Sequence, residues 1–161
     1  MKSNSEVNGI RVDGQLIEYA ERPHGQPEDF TTGVLRVVVP YTTPDLTRVA
    51  LRHAAVCSDL DVRVCLVDIQ VVPFPCPLDQ PLINKQFSRQ RLQDLLSGSA
   101  GGGEALVLYT RDWLEAFHRV LGPQSLVVIA TKRRWLQTRE KKLARALRNA
   151  GHEVMLLPVV R

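Results

Sequence analysis

Val34-Leu35-Arg36-Val37-Val38-Val39-Pro40, followed by Thr43-Pro44-Asp45 and then by Leu46, Val49, Ala50, His53, Ala54 and Cys57 at helical spacing, decides the fold class. The first stretch is a β-branched run stopped by a proline, the form a strand takes when a parallel sheet buries both its faces. The second is a helix start: Thr43 can accept free amide hydrogens of the first turn, and Pro44 fits the first helical position. The third is a single apolar stripe, which predicts a helix running to about Asp59. A strand followed by a helix is one unit of an α/β fold.

The remaining chain repeats that unit. Val62 to Ile69 reads as a second strand. Residues 70–81 hold Pro73, Pro75, Pro77 and Pro81, too many prolines for regular structure. A second helix is predicted from Leu82 to Leu96, with Ile83, Phe87, Leu92, Leu95 and Leu96 facing inward. Ser97 to Gly103 is a glycine-rich connector, but no Lys-Ser/Thr follows it and a strand comes next, so it does not resemble a phosphate loop. Ala105 to Tyr109 is the third strand, Asp112 to Leu121 the third helix, and Ser125 to Ala130 the fourth strand. The fourth helix carries Leu136, Leu143, Leu147 and Ala150 on one face, and Glu153 to Val160 closes the chain as a fifth strand. The expected architecture is a three-layer α/β sandwich, a five-stranded parallel sheet with helices on both faces. Ligands of such folds bind beyond the carboxyl ends of the strands, where strand order reverses.

Residues 1–33 form an N-terminal extension. A short alternating pattern around Asp13-Gly14 suggests a hairpin, and Arg22 to Asp29 reads as a polar linker. Residues 34–161 form the α/β domain. The chain has 161 residues, 44% hydrophobic and 24% charged, which suits one globular domain and argues against wholesale disorder or a fibrous fold. No apolar run approaches a membrane span, and no secretory signal is expected from the first residues. The cysteines Cys57, Cys65 and Cys76 are odd in number and contain no Cys-x-x-Cys, so packing thiols and a cytoplasmic location are expected.

The net charge of +4 is unevenly spread. The extension is acidic, whereas Lys132 to Arg148 carries eight basic residues against Glu140 alone. Such a patch suits either the solvated face of one helix or attraction of phosphate-bearing partners. Catalytic signals are sparse. His53 falls on the apolar stripe of the first helix and reads as a core or boundary residue. His118 and His152 stand alone, and no His or Cys spacing suggests a metal. Enzyme activity is the least favoured reading, with a nucleotide hydrolase as the form weighed, since no general base or metal ligand set is visible; no resident cofactor is expected. Trp135 among Arg133, Arg134 and Arg139 is thin support for nucleic acid, which is not an expected partner.

Several stretches, in order, resemble the universal stress protein family of the adenine-nucleotide alpha-hydrolase-like group. Val38 to Ala54 is similar to its opening strand, turn and first helix. Tyr109 to Phe117, then Ser125 to Thr131, is similar to its third helix leading into its fourth strand, and the proline-rich loop after the second strand is typical. The resemblance covers residues 34–161 and implies a strand order of 3-2-1-4-5. It also implies a homodimer joined through the last strand, on the edge of Val154, Met155, Leu156, Leu157 and Val159, with Pro158 removing one amide donor.

ATP-binding members of that family carry Gly-x-x-Gly, a nine-residue spacer and Gly-Ser/Thr after the fourth strand, because backbone amides must approach the phosphates closely. Here Ala130-Thr131-Lys132-Arg133 stands at Gly-x-x-Gly, and Gln137-Thr138 follows after only Arg134-Trp135-Leu136. The acidic residue after the first strand is replaced by Tyr41-Thr42-Thr43. The chain therefore reads as a dimeric regulatory or interaction module of the branch without the ATP motif, with an unidentified protein partner. The alternative is a binder of a nucleotide such as ATP or AMP, or of another phosphate-bearing small molecule. Its cleft would draw on Pro40, Tyr41, Thr42, Thr43, Asp68, Thr131, Lys132, Arg133, Arg134, Thr138 and Arg139, with side-chain cations replacing backbone amides.

Overall fold

The computed structural model describes residues 9–12, 14–21, 36–57, 62–99, 103–122, 125–132 and 137–160. Along these residues run β1 (Gly9–Val12), β2 (Gln15–Glu21), β3 (Arg36–Pro40), α1 (Pro44–Cys57), β4 (Arg63–Val71), α2 (Lys85–Ser97), β5 (Glu104–Thr110), α3 (Trp113–Val120), β6 (Ser125–Lys132), α4 (Arg139–Asn149) and β7 (Glu153–Val159). The apolar runs read as strands from the sequence are β3 to β7, and every described residue of β3 and β5 is buried.

The five-stranded, all-parallel sheet of order 3-2-1-4-5 is overturned. The sheet has seven strands in the order β1-β2-β5-β4-β3-β6-β7, and it is mixed. β3 pairs parallel with β4 and β6, β4 with β5, and β6 with β7. β1 and β2 form an antiparallel hairpin, and β2 adds antiparallel to β5, with Leu16 opposite Tyr109 and Ile17 opposite Leu108. The turn places Gly14 at φ +74°, which glycine adopts without a Cβ penalty. The hairpin joins because the outer edge of β5 otherwise leaves a row of amides and carbonyls unpaired, and because Leu16, Ile17 and Ala20 bury their side chains there.

Two cores sandwich the sheet. One packs α1 and α2 through Leu46, Ala50, Leu51, Leu92, Leu95 and Leu96 against Val37, Val39, Leu66 and Val128. The other packs α3 and α4 through Ala116, Phe117, Val120, Ala144 and Leu147 against Val38, Val67, Leu106 and Ile129. The expected inward face of the second helix needs correction. Asn84 Oδ1 accepts the amides of Gln86 and Phe87, so α2 starts later than predicted. Ile83 falls outside it, Ile83 and Phe87 are exposed, and Ser88 joins the buried leucines. His53 is likewise exposed on α1, not part of its buried face. Gly103, expected in a flexible connector, sits at φ +142°, where a Cβ would lie 2.5 Å from the Val64 carbonyl oxygen. Among the described residues no helix is long and apolar enough to cross a membrane.

Candidate functional site

Strand order reverses between β3 and β6, so the crevice beyond their carboxyl ends is the place where this architecture receives ligands. On the β3 side Pro40 ends the strand and the chain turns into α1 with the amides of Tyr41, Thr42 and Leu46 engaged. The Tyr41 amide donates to the Val67 carbonyl at 2.7 Å, and the Thr42 amide to Thr47 Oγ1 at 3.2 Å. Thr43 Oγ1 accepts the Leu46 amide at 3.4 Å. On the β6 side Thr131 is buried, and its hydroxyl lies 2.9 Å from that of Thr138. Thr138 is the N-cap of α4, its Oγ1 accepting the Lys141 amide at 3.3 Å. Lys132 and Arg139 are exposed. Gln137, with its amide turned toward Arg145, accepts from both terminal guanidinium nitrogens at 2.8 Å. Arg133 and Arg134, together with Trp135 and Leu136, lie outside the described residues.

No glycine occurs between Gly33 and Gly98, or between Gly122 and Gly151, so every residue of the two crevice loops carries a Cβ. A loop built this way holds an anion off its main chain, whereas glycine lets backbone amides close on it.

Asp68 is not a free carboxylate at the crevice. It is buried, and its Oδ2 accepts from Arg91 Nη2 at 2.7 Å and from Gln70 Nε2 at 2.9 Å. The Gln70 amide also donates to Ser88 Oγ at 2.8 Å. The Arg91 guanidinium in turn stacks 4.0 Å from the centre of the Tyr41 ring. The structure thus gathers the expected residues into two groups. Tyr41 and Asp68 are tied through Arg91 on α2, and Thr131 and Thr138 are tied to each other at the start of α4.

A polar cluster that sequence reasoning did not foresee continues from the first group. Glu18 of β2 is buried under α2, with Lys85 Nζ at 2.8 Å and Arg89 Nη2 at 3.6 Å. Lys85 lies 5.2 Å from the centre of the Tyr109 ring. The Tyr109 hydroxyl is buried near Glu18 and Asp68, and burial, reinforced by those carboxylates, pushes its pKa well above the ordinary value. On the opposite face Arg119 Nε donates to Gln15 Oε1 at 3.0 Å. The one sequence signal for the Glu18 cluster was the spacing of Lys85, Ser88 and Arg89 in step with Leu92, which carries polar groups along the buried face of α2. At the other end of the strands, Arg36 Nη2 meets Glu104 Oε1 at 3.0 Å, both buried.

Of the expected dimer edge, Val154 is buried, Leu156, Leu157 and Val159 are half-buried, and Met155 is exposed. β7 is a terminal strand of the sheet, paired with β6 on one side.

No family model and no curated protein sequence matches the chain. Among solved structures, a universal stress protein from Archaeoglobus fulgidus superposes with a TM-score of 0.57 over 76% of this chain and 92% of that one, at 16% identity. A likeness at this identity speaks for architecture alone: the chain has a universal-stress-protein-like fold.

Proposed function

We propose that the chain is a non-enzymatic regulatory or interaction module of the universal stress protein type that does not hold ATP in the manner of the family's ATP binders. One observation carries this reading. The loops after β3 and β6 contain no glycine, and the amides of Tyr41, Thr42 and Leu46 already have acceptors within the protein. A triphosphate needs bare, available main chain at this place. The free thiols Cys65 and Cys76 support a cytoplasmic setting. Equilibrium dialysis against ATP, AMP and cyclic dinucleotides tests the reading. No binding up to millimolar ligand is expected, and retention of a nucleotide through purification refutes it.

The module acts as a homodimer joined along β7. The apolar edge of Val154, Met155, Leu156, Leu157 and Val159 supports this, since a strand at the end of a sheet offers unpaired backbone groups. Pro158 leaves one gap in the ladder. Light scattering should give twice the 18.1 kDa chain mass at micromolar concentration. A monomer there removes the dimer from the proposal.

A second reading is favoured by the exposed Lys132 and Arg139 on either side of the Thr138 cap. In it, a phosphate-bearing small molecule sits between Pro40–Thr43 and Thr131–Arg139, clamped by side-chain cations. The same dialysis decides between the two readings. Millimolar or tighter binding that weakens steeply with salt supports the clamp.

A further inference from the structure

His118 and His152 are separated by 34 positions in the chain, yet Nδ1 of the first lies 2.8 Å from Nε2 of the second. Their ring centroids are 4.7 Å apart and the rings are tilted by 46°. Both supports are rigid. His118 stands in the last turn of α3. His152 follows Gly151, which ends α4 at φ +93°, and its amide donates to the Leu147 carbonyl at 3.0 Å. α3 and α4 share one core through Phe117, Val120, Ala144 and Leu147. The imidazoles therefore meet at the surface on a packed scaffold.

We propose that this pair is a chelating site for a divalent transition metal, with copper(II) or nickel(II) as the fitting ions. The nitrogen–nitrogen distance selects these ions. With metal–imidazole bonds of about 2.0 Å, two nitrogens at right angles lie about 2.8 Å apart, and two at a tetrahedral angle about 3.3 Å apart. The observed separation matches neighbouring corners of a square plane, the geometry of copper(II) and nickel(II) sites. Among the described residues no group of three or more His, Cys, Asp or Glu could hold a metal, so water completes the coordination.

In the metal-free protein a hydrogen occupies the same gap as an N–H···N bond. On metal binding that hydrogen passes through solvent to the far nitrogen of the same ring. The rings then turn so that both facing lone pairs, no longer along the nitrogen–nitrogen line, converge on the metal, and no net proton is lost from a neutral pair. The flanking charged residues are Glu115 and Arg119 on α3, Arg148 on α4 and Glu153 on β7. Both arginines have partners, Arg119 in Gln15 and Arg148 in the Val154 carbonyl, while the two glutamates are exposed and favour a cation.

The test uses the full chain, stripped with a chelator and titrated with copper(II) against glycine as competitor. One tight equivalent is expected, bound more tightly than zinc and showing a tetragonal paramagnetic resonance spectrum with coupling to two nitrogens. His118→Asn and His152→Asn should each weaken it by more than about tenfold, while His53→Asn, at an exposed site elsewhere, leaves it unchanged. Unaltered binding in both of the first two variants overturns the proposal. A wild-type spectrum without two-nitrogen coupling also overturns it, and that readout does not depend on any variant folding.

Discussion

Replacing Ile17 by alanine asks whether the N-terminal hairpin belongs to the cooperative fold. Ile17 is 3% exposed and packs in the same core as Leu106, Leu108, Phe117 and Val120. Truncating a buried isoleucine to alanine costs about 2–5 kcal/mol, through lost transfer energy and the cavity left behind. β2 has only a four-residue strand outside it, so the wall can partly collapse, which places the expectation near 3 kcal/mol. For a chain of this length that lowers the melting temperature by about 6–12 °C. Urea unfolding followed by circular dichroism should show an earlier midpoint with an unchanged slope. Arg11→Ala is the control. Arg11 is exposed and paired with Asp79 at 3.5 Å across the surface, an interaction worth less than about 1 kcal/mol. If Ile17→Ala stays within about 0.5 kcal/mol of the parent, the hairpin unfolds independently and the seven-stranded sheet is not one cooperative unit.

Gly103→Ala should destabilise by about 1–3 kcal/mol, because its Cβ would meet the Val64 carbonyl oxygen and its φ of +142° disfavours a side chain; a melting curve equal to the parent's refutes that close approach. Burial, reinforced by Glu104, raises the Cys65 thiol well above its ordinary pKa, so a thiol reagent should modify half-buried Cys76 long before Cys65, as read by peptide mapping. His152 has a lowered pKa in the folded chain, so between that value and the ordinary 6.5 the unfolded chain binds more protons and stability rises with pH. Its contribution is complete above pH 6.5 and is lost as the pH falls below it. Melting curves from about pH 7.5 to about 5 should show a slope that His152→Asn flattens, and an equal slope in that variant would assign the titration elsewhere.

What could be read from the chain follows from how local each signal is. β3 to β6 stood out because strands largely buried on both faces are continuous apolar runs, and β7, only partly buried, stood out by its apolar run from Val154 to Val160. The α3 boundary was legible at Asp112, whose carboxylate accepts the amides of Leu114 and Glu115. The start of α2 was misplaced because Ile83 and Phe87 look like core residues, while Asn84, a strong cap, lies between them. Non-local signals were lost altogether. The Asp13-Gly14 turn announces a hairpin, but nothing near it says that Leu16 will face Tyr109. Asp68 looked like a site carboxylate until Arg91 neutralised it from another element. His118 and His152 look solitary along the chain, and only the placing of α3 and α4 over one shared core makes them neighbours.

The crevice raises a question of competition. An anion docking on the amides of Tyr41, Thr42 or Leu46 must take donors that already serve Val67, Thr47 and Thr43. Each exchange forfeits an internal hydrogen bond worth about 1 kcal/mol and leaves its former acceptor to find water. Side chains face no such exchange. Lys132 and Arg139 are exposed, and an ammonium or guanidinium can reach a phosphate while the backbone keeps its own partners. Any phosphate-bearing ligand held here would therefore be held by charge, and its affinity would fall steeply with ionic strength. Tight binding indifferent to salt would instead require the loop to surrender its amides, and with them the tie between Tyr41 and Val67 that joins β3's end to β4.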